Sequence, residues 1–132
     1  MLTKDIRLDL EAVLRAFEAS AARGAEFREL ANLLYDDEVI LVGEEGAIRG
    51  LKAFLPKFET IVADWGGAGT QLQLSLKDPI LTSDSLAVCF MQAMCRPAKP
   101  GAPVEQYRVL TAWKRSNRGW RLAMEMYTNG TL

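Results

Sequence analysis

The chain has 132 residues, nearly half of them apolar and a quarter of them charged, and its formal net charge is −1. This length and composition are typical of one globular domain with a substantial core, so we predict a single domain over residues 1–132. The near-zero charge gives no electrostatic attraction for nucleic acid or an anionic membrane, and no apolar run approaches the ~20 residues of a membrane span. The first residues lack the apolar core of a signal peptide, and we therefore expect a cytoplasmic location.

Three helices are predicted in the first half of the chain. Apolar residues recur at three- and four-residue spacing over Thr3–Ala22, which gives one apolar stripe. Residues 26–34 repeat this pattern over a shorter length. A third helix is predicted over residues 51–64. Because Pro56 is best tolerated in a first turn, we expect this helix to start near Phe54.

The remaining elements are predicted to be strands, since their residues alternate in polarity or form short β-branched runs. Two short strands form a hairpin over residues 39–42 and 47–49. A strand over residues 71–77 ends at a turn made by Asp78 and Pro79. Longer strands follow over residues 86–96, 104–116 and 119–127, with a Pro/Gly loop at 97–103. Helices first and strands later predict an α+β fold, with the N-terminal helices on one face of a mainly antiparallel sheet.

Period-two spacing divides the residues of each long strand between the two faces of the sheet. We predict that the bulkier set faces the helices: Val88, Phe90, Gln92, Met94, Arg96, Tyr107, Val109, Thr111, Trp113, Met124 and Met126. The smaller set then faces outward: Ala87, Cys89, Met91, Ala93, Cys95, Leu110 and Ala112. An outer face this apolar suits water poorly, so we predict that a second copy of the chain covers it in a homodimer. Glu125 alternates with the two methionines and is therefore predicted on the outer face, with Arg121 and Tyr127.

The chain contains no histidine. That absence removes the commonest general base and the commonest metal ligand, and it excludes Ser-His and Cys-His nucleophile pairs. We therefore predict no metal site and no cofactor, and any catalysis would rest on carboxylates, tyrosine, lysine, arginine or bound water. Cys89 and Cys95 would lie about 20 Å apart on one strand, which is too far for a disulfide.

Three stretches of the chain resemble the nuclear transport factor 2-like superfamily, which includes ketosteroid isomerases and SnoaL-like polyketide cyclases. They are Leu33-Leu34-Tyr35-Asp36-Asp37-Glu38-Val39, Gly46-Ala47-Ile48-Arg49-Gly50, and Trp113-Lys114-Arg115 through Gly119-Trp120-Arg121-Leu122. Each stretch is short, but together they follow the order and spacing of that superfamily over essentially the whole chain. The resemblance implies a cone-shaped α+β fold in which a curved sheet wraps a helix and a pocket opens at one end. It also implies homodimers through the outer sheet face.

The positions that carry catalysis in ketosteroid isomerases hold other residues in this chain. The resemblance puts the general base at Val42, the acid of the penultimate strand at Thr111, and the tyrosine of the first helix near Phe17 or Glu18. Dehydratase-type relatives rely on histidine, which is absent. The known isomerase chemistry is therefore disfavoured.

The predicted ligand pocket combines side chains from the helices and the strands: Phe17, Phe54, Phe58, Trp65, Phe90, Gln92, Met94, Val109, Trp113, Met124 and Met126. The catalytic candidates are four polar residues: Tyr35, Arg96, Tyr107 and Thr111. Arg96 would anchor a carboxylate or enolate oxygen, and the two tyrosines would donate hydrogen bonds near the mouth. The alternative for these residues is core packing or, for Arg96, a surface position.

Two classes of function follow from this pattern. The first is binding of a small apolar or amphipathic molecule, with a possible isomerase, lyase or cyclase reaction that uses neither histidine nor metal. The second is a non-catalytic association module whose output is the homodimer. A third hypothesis, an isomerase or hydrolase with a relocated carboxylate base, needs an Asp or Glu inside the cavity, and the spacing predicts none there.

Overall fold

A computed structural model describes residues 3–132, and the side chains from Asp5 onward. The helices within that range are α1 (Thr3–Ala22), α2 (Phe27–Leu34) and α3 (Leu51–Trp65). The strands are β1 (Tyr35–Gly43), β2 (Gly46–Arg49), β3 (Gln71–Thr82), β4 (Leu86–Arg96), β5 (Glu105–Ser116) and β6 (Gly119–Asn129). The predicted α+β class is confirmed, and α1 has the predicted bounds.

The strands form one curved sheet in the order β2-β1-β6-β5-β4-β3. Neighbouring strands are antiparallel except for β1 and β6, which are parallel. The helices pack on the inner, concave face, where α1 contacts β3 and α3 contacts β1. No helix within residues 3–132 combines the length and the apolar character needed to cross a membrane.

The apolar stripe of α1 is the centre of the core. Ile6, Leu10, Leu14 and Phe17 recur every three or four residues, and all four side chains are buried. They lie on one face of the helix because of its 3.6-residue period. This face covers the inner side of the sheet at β3 and β6.

The outer edge of β3 is occupied by polar side chains of α1. Arg7 donates to the carbonyl of Leu76 at 3.1 Å, and Arg15 donates to the carbonyl of Leu74. The carboxylate of Glu18 accepts from the Leu74 N–H at 2.7 Å. Backbone groups at the end of the sheet, which would otherwise lack a strand partner, therefore have hydrogen bonds.

Helix α3 begins at Leu51, before the expected start, and contains Pro56 in its interior. Proline has no N–H to donate to the carbonyl of Lys52, four residues earlier. Lys52 is exposed, so water can replace the missing donor. Burial of Leu51 and Phe54 holds the first turn against the core, which explains why the helix extends further than the proline suggested.

Two strands, β1 and β3, extend furthest beyond their predicted bounds. β1 begins at Tyr35, directly after α2, and β3 continues through Asp78 and Pro79 to Thr82. The pairing of β3 with β4 is irregular between Lys77 and Leu81. A strand with a paired neighbour can absorb such a bulge and continue, whereas the sequence pattern alone indicated a turn.

The predicted facing of β4 is wrong. Phe90 is 49% exposed on the outer, convex face, and Val88, Gln92 and Arg96 share its side of the strand. The side chains that face the helices belong to the smaller set: Ala87, Cys89, Met91, Ala93 and Cys95.

The pairing register with β5 explains this reversal. β5 faces as predicted, with Trp113 and Thr111 completely buried. Residues directly opposite each other share a face, and Trp113 lies opposite Ala87 while Thr111 lies opposite Cys89. Beside a buried indole, the inner face of β4 has space for small side chains, so the bulky ones point outward.

β6 changes its facing part-way along. Leu122 is buried and lies opposite Trp113, but the next regular pair joins Met124 to Ala112. One extra residue, Ala123, is thus inserted as a β-bulge. A one-residue shift moves every later side chain to the other face.

Beyond this bulge the sequence prediction fails for four residues. Met124 and Met126, predicted inward, are 50% and 54% exposed on the outer face. Glu125 and Tyr127, predicted outward, turn to the helix side, where both border a cavity.

Candidate functional site

A cavity of about 740 Å³ lies between the inner face of the sheet and the helices α1 and α3. Most of its lining side chains are apolar or aromatic. Eight residues of the sequence-based site prediction line it: Phe17, Tyr35, Phe54, Phe58, Trp65, Met94, Tyr107 and Val109.

One wall of the cavity consists of packed aromatic rings. The ring of Tyr35 meets Phe54 and Phe58 edge to face, with centroids 5.3 Å and 5.7 Å apart. Phe54 and Phe58 stack at 5.4 Å, and Phe58 meets Trp65 at 6.2 Å. Because these rings fix one another's orientation, the wall is rigid and already shaped.

The mouth of the cavity is bordered by the loop at residues 97–103. The N–H groups of Ala98 and Lys99 both donate to the carbonyl of Trp65, at 2.7 Å and 3.1 Å. Gly66 makes this contact possible, because a Cβ there would lie 2.7 Å from the Lys99 nitrogen. The end of α3 and the loop are therefore held together at the entrance.

The polar end of the cavity contains Glu125, which the bulge in β6 turns inward. Its side chain is partly accessible, and that accessible part borders the cavity. Burial raises the pKa of the Glu125 carboxyl to about 7, and a hydrogen-bonding contact with the Tyr35 hydroxyl lowers it by a smaller amount. Near neutral pH, the protonated and ionised forms are therefore both well populated.

Two tyrosines accompany Glu125. The pKa of Tyr35 is raised, first by burial and then by the charge of Glu125, so its hydroxyl stays protonated and can donate to the carboxylate. The ring of Tyr127 lies against Gly43 of β1, where a Cβ would be 2.8 Å from the ring and its hydroxyl. A glycine at this position therefore gives Tyr127 its place in the cavity wall.

A second carboxylate, Glu105, lies at the mouth. It accepts a hydrogen bond from the hydroxyl of Tyr107, and burial together with this contact raises the pKa of Tyr107. Burial, and next the charge of Glu105, raise the pKa of the nearby Cys95 thiol to about 11. Both groups are therefore protonated at neutral pH, in contrast to Glu125.

The remaining predicted site residues lie elsewhere. Thr111 is 0% exposed; its hydroxyl donates to the carbonyl of Cys89 at 2.7 Å and accepts from the indole N–H of Trp113 at 3.0 Å. Thr111 and Trp113 are thus core residues with their polar atoms paired.

Gln92 and Arg96 are also outside the cavity. The amide of Gln92 donates to the carbonyls of Tyr107 and Gly130, at 3.0 Å and 3.1 Å, and accepts from the N–H of Leu132 at 2.8 Å. It therefore ties the end of the described chain to the sheet. Arg96 is exposed and does not line the cavity, as with Phe90, Met124 and Met126 on the outer face.

Sequence reasoning missed Glu125 and Tyr127. Strict alternation along β6 assigns them to the face opposite the flanking methionines, and no glycine or proline marks the bulge. The available signal was that Tyr127 is out of phase with Trp120 and Leu122, which indicates an extra residue between them. Within residues 3–132, no three His, Cys, Asp or Glu side chains converge in a way that could hold a metal ion.

Comparison with known proteins identifies the architecture. No protein-family model matches the sequence, and no curated protein matches it. A nuclear transport factor 2-like superfamily protein from Salmonella enterica does match in structure, with a TM-score of 0.73 and 16% identity over 99% of this chain and 95% of the other. The chain has the nuclear transport factor 2-like fold.

Two further solved structures share the nuclear transport factor 2-like fold. A protein of unknown function from Silicibacter pomeroyi has a TM-score of 0.67 and 16% identity over 98% of this chain and 100% of its own. A protein from Novosphingobium aromaticivorans, provisionally named a scytalone dehydratase, has a TM-score of 0.74 and 15% identity over 98% and 87%. The predicted cone-shaped architecture is thereby confirmed. At these identities the likeness concerns the fold alone.

Proposed function

We propose that the chain binds a small, mainly apolar molecule in the cavity between sheet and helices. The cavity itself carries this proposal, because its volume of about 740 Å³ lies within the ~300–1,000 Å³ typical of small-molecule sites. The stacked and edge-to-face rings of Tyr35, Phe54 and Phe58 supply a preformed apolar surface. A bound molecule would gain roughly 25 cal/mol for each Å² of apolar surface removed from water.

The polar end of the cavity would orient the bound molecule. Glu125 and Tyr35 adjoin each other there, so a ligand with one polar group would have a defined direction. Glu125, with a pKa of about 7, is also the group that would give or take a proton in an isomerase, lyase or cyclase reaction. Tyr35 keeps its proposed donor role. The Tyr107 hydroxyl already donates to Glu105, and Arg96 and Thr111 have no role in the proposed site.

Filling the cavity tests this proposal. Ala93 lines the cavity, and Ala93→Phe would place a ring inside it, while Ala53→Phe adds the same ring at an exposed position of α3. Titration with Nile red, a neutral apolar dye, should give saturable fluorescence with the natural chain and with Ala53→Phe. Ala93→Phe should weaken the dye's affinity at least tenfold while its circular dichroism spectrum stays unchanged. Equal binding by all three proteins would remove the cavity as the site.

An association module is the second candidate, and the outer sheet face favours it. Phe90, Leu110 and Met126 lie opposite one another across β4, β5 and β6, and each is 42–54% exposed. Met124 continues this group, which we call the outer apolar row. We propose that a second copy of the chain covers it, now through the bulkier residues of β4 and β6 together with the predicted Leu110 and Ala112.

The oligomeric state tests the association. Size-exclusion chromatography with light scattering at micromolar concentration should give a dimer. Leu110→Lys should give a monomer, because it adds a charge in the middle of the row. Leu8→Lys changes an equally apolar, exposed side chain on α1 and should leave the dimer intact. A natural chain that is monomeric under these conditions contradicts the proposal.

A further inference from the structure

The carboxylate of Glu125 borders a cavity lined mostly by apolar and aromatic side chains. Among residues 3–132, the ion pairs involve other acidic residues. The polar side chains around it include Tyr35 from β1, Tyr127 from the same face of β6 and Thr111, which lies opposite it on β5 and whose hydroxyl is already paired. An ionised group in such surroundings is destabilising unless an opposite charge compensates it.

We propose that the cavity's ligand is an apolar molecule that carries a protonated amine, and that its ammonium group pairs with the Glu125 carboxylate. The proposal rests on the proposed function, because it specifies the chemistry of the molecule that the cavity holds. A ligand of this kind supplies the missing positive charge and the apolar surface together.

The aromatic wall supports a cationic ligand. Tyr35 links the carboxylate to the ring cluster, since its hydroxyl is near enough to lower the pKa of the Glu125 carboxyl and its ring packs on Phe54 and Phe58. On the other side, the rings of Tyr107 and Tyr127 meet at 6.1 Å. Ammonium groups are attracted to the faces of aromatic rings, and more strongly when water is excluded.

The distribution of charge in the cavity opposes an anionic ligand. Its other charged lining residues are Lys57 and Asp64 of α3, Lys99 of the loop and Glu105 of β5. Asp64, Lys99 and Glu105 are exposed and Lys57 is partly exposed, so water screens these two positive and two negative groups. The Lys57 nitrogen also lies 4.0 Å from Glu45. Glu125, when ionised, therefore makes the charge inside the cavity negative. The carboxylate or enolate ligand expected from Arg96 would be repelled by it.

The proposal predicts a particular pH dependence. The ammonium group pairs with the ionised form of Glu125, and the pKa of that carboxyl without a ligand is about 7. Alkylamines stay protonated between pH 6 and pH 8, so the titration of Glu125 governs binding in this interval. Amine affinity should fall roughly tenfold from pH 8 to pH 6, while the affinity of a neutral analogue should stay constant.

A matched pair of probes tests the inference by isothermal titration calorimetry. Phenylbutylamine and phenylbutanol have nearly the same shape but differ in charge. At pH 8 the amine should bind about tenfold more tightly than the alcohol. In Glu125→Gln this preference should disappear while the alcohol still binds. Glu59→Gln, which removes a carboxylate from an exposed position of α3 outside the cavity, should behave as the natural chain.

The outcomes separate this inference from the proposed function. If both probes bind equally, or if Glu125→Gln retains the preference for the amine, the amine assignment is wrong and the apolar cavity site stands. If neither probe binds the natural chain and Nile red binding is unaffected by Ala93→Phe, both proposals are wrong. The alcohol titration of Glu125→Gln also verifies that this variant keeps a folded cavity.

Discussion

The inner and outer faces of the sheet are built from the same strands, yet a few side chains on each face would be more stable on the other. On β6, Glu125 points into the apolar cavity, whereas Met124 and Met126 are about half exposed on the outer face. A protein stabilised only by its own packing would have the opposite arrangement, with the carboxylate in water and the methionines covered. The two proposals, a ligand in the cavity and a second copy of the chain on the outer face, would each explain one half of this arrangement.

The unfavourable groups of the two faces should affect different processes: Glu125 on the inner face affects folding, and the outer apolar row affects association. The ionised form of Glu125 destabilises the isolated chain itself, because folding moves its carboxylate from water into a mostly apolar cavity. The outer apolar row is exposed before and after folding, so it should have little effect on the free energy of unfolding, and in the proposed dimer it would matter only for association. Mutations on the inner face should therefore change unfolding free energy, and those on the outer face should change association.

The largest effect is expected from Glu125→Gln on stability above neutral pH. The folded pKa of about 7 lies above the ordinary value of 4.5, so the folded state binds the proton more tightly than the unfolded chain. Stability should therefore fall as pH rises from about 4.5 to 7, and the full loss, about 3 kcal/mol, should be present above pH 8. Glutamine does not titrate. The variant should thus be more stable than the natural chain by up to this amount at pH 8, and similar to it at pH 4.

Urea unfolding at the two pH values measures this difference. Glu59→Gln provides the matched control, since its exposed side chain should leave the pH profile unchanged. If the unfolding free energies of Glu125→Gln and the natural chain changed with pH in the same way, the ionised Glu125 carboxylate would not destabilise the folded chain. The inner face would then carry no unfavourable group.

A smaller effect is expected from Thr111→Val, which probes the part of the inner face that packs as core. Valine has nearly the same shape but leaves the Trp113 indole N–H, now 3.0 Å from the Thr111 hydroxyl, without a partner. Burying that donor unpaired should destabilise the chain by about 1–3 kcal/mol. Thr60→Val, at an exposed position of α3, should change stability by less than ~0.5 kcal/mol. Chemical denaturation measures the unfolding free energy of both variants. An unchanged value for Thr111→Val would indicate that the Trp113 indole N–H has another hydrogen-bond partner.

The smallest effect is expected from Arg96→Ala. Arg96 is exposed and lies outside the cavity, so its removal should change unfolding free energy by less than ~0.5 kcal/mol. Nile red affinity should also stay the same. A loss of dye binding in this variant would show that Arg96 contributes to the binding site. The polar group that orients a ligand would then be Arg96 rather than Glu125.

Much of the fold could be predicted from local periodicity. The stripe of α1, the facing of β5 and the order of helices before strands depend on residues near one another in sequence. For the same reason, the rings that α1 and α3 contribute to the cavity were predicted correctly in position: Phe17, Phe54, Phe58 and Trp65 all line it.

The facing of β4 and the end of β6 depended on partners far away in the chain. The size of Phe90 suggested an inward position. The buried Trp113 of the neighbouring strand, however, leaves space only for a small side chain opposite it, and Ala87 lies there. Alternation suggested that Glu125 belongs outside, but the extra Ala123 reverses the strand. The pairing register depends on the partner strand. The bulge has only a weak signal within β6, the phase of Tyr127, so strict alternation did not predict the polar end of the cavity.

The hydrogen bonds from α1 to the edge of β3 restrict how copies of this chain can assemble. Arg15 and Glu18 occupy the carbonyl and N–H of Leu74, and Arg7 occupies the carbonyl of Leu76. An incoming strand would have to displace them before it could extend the sheet. In the proposed dimer, stacking through the convex side would use up that side in both partners and so give a closed pair.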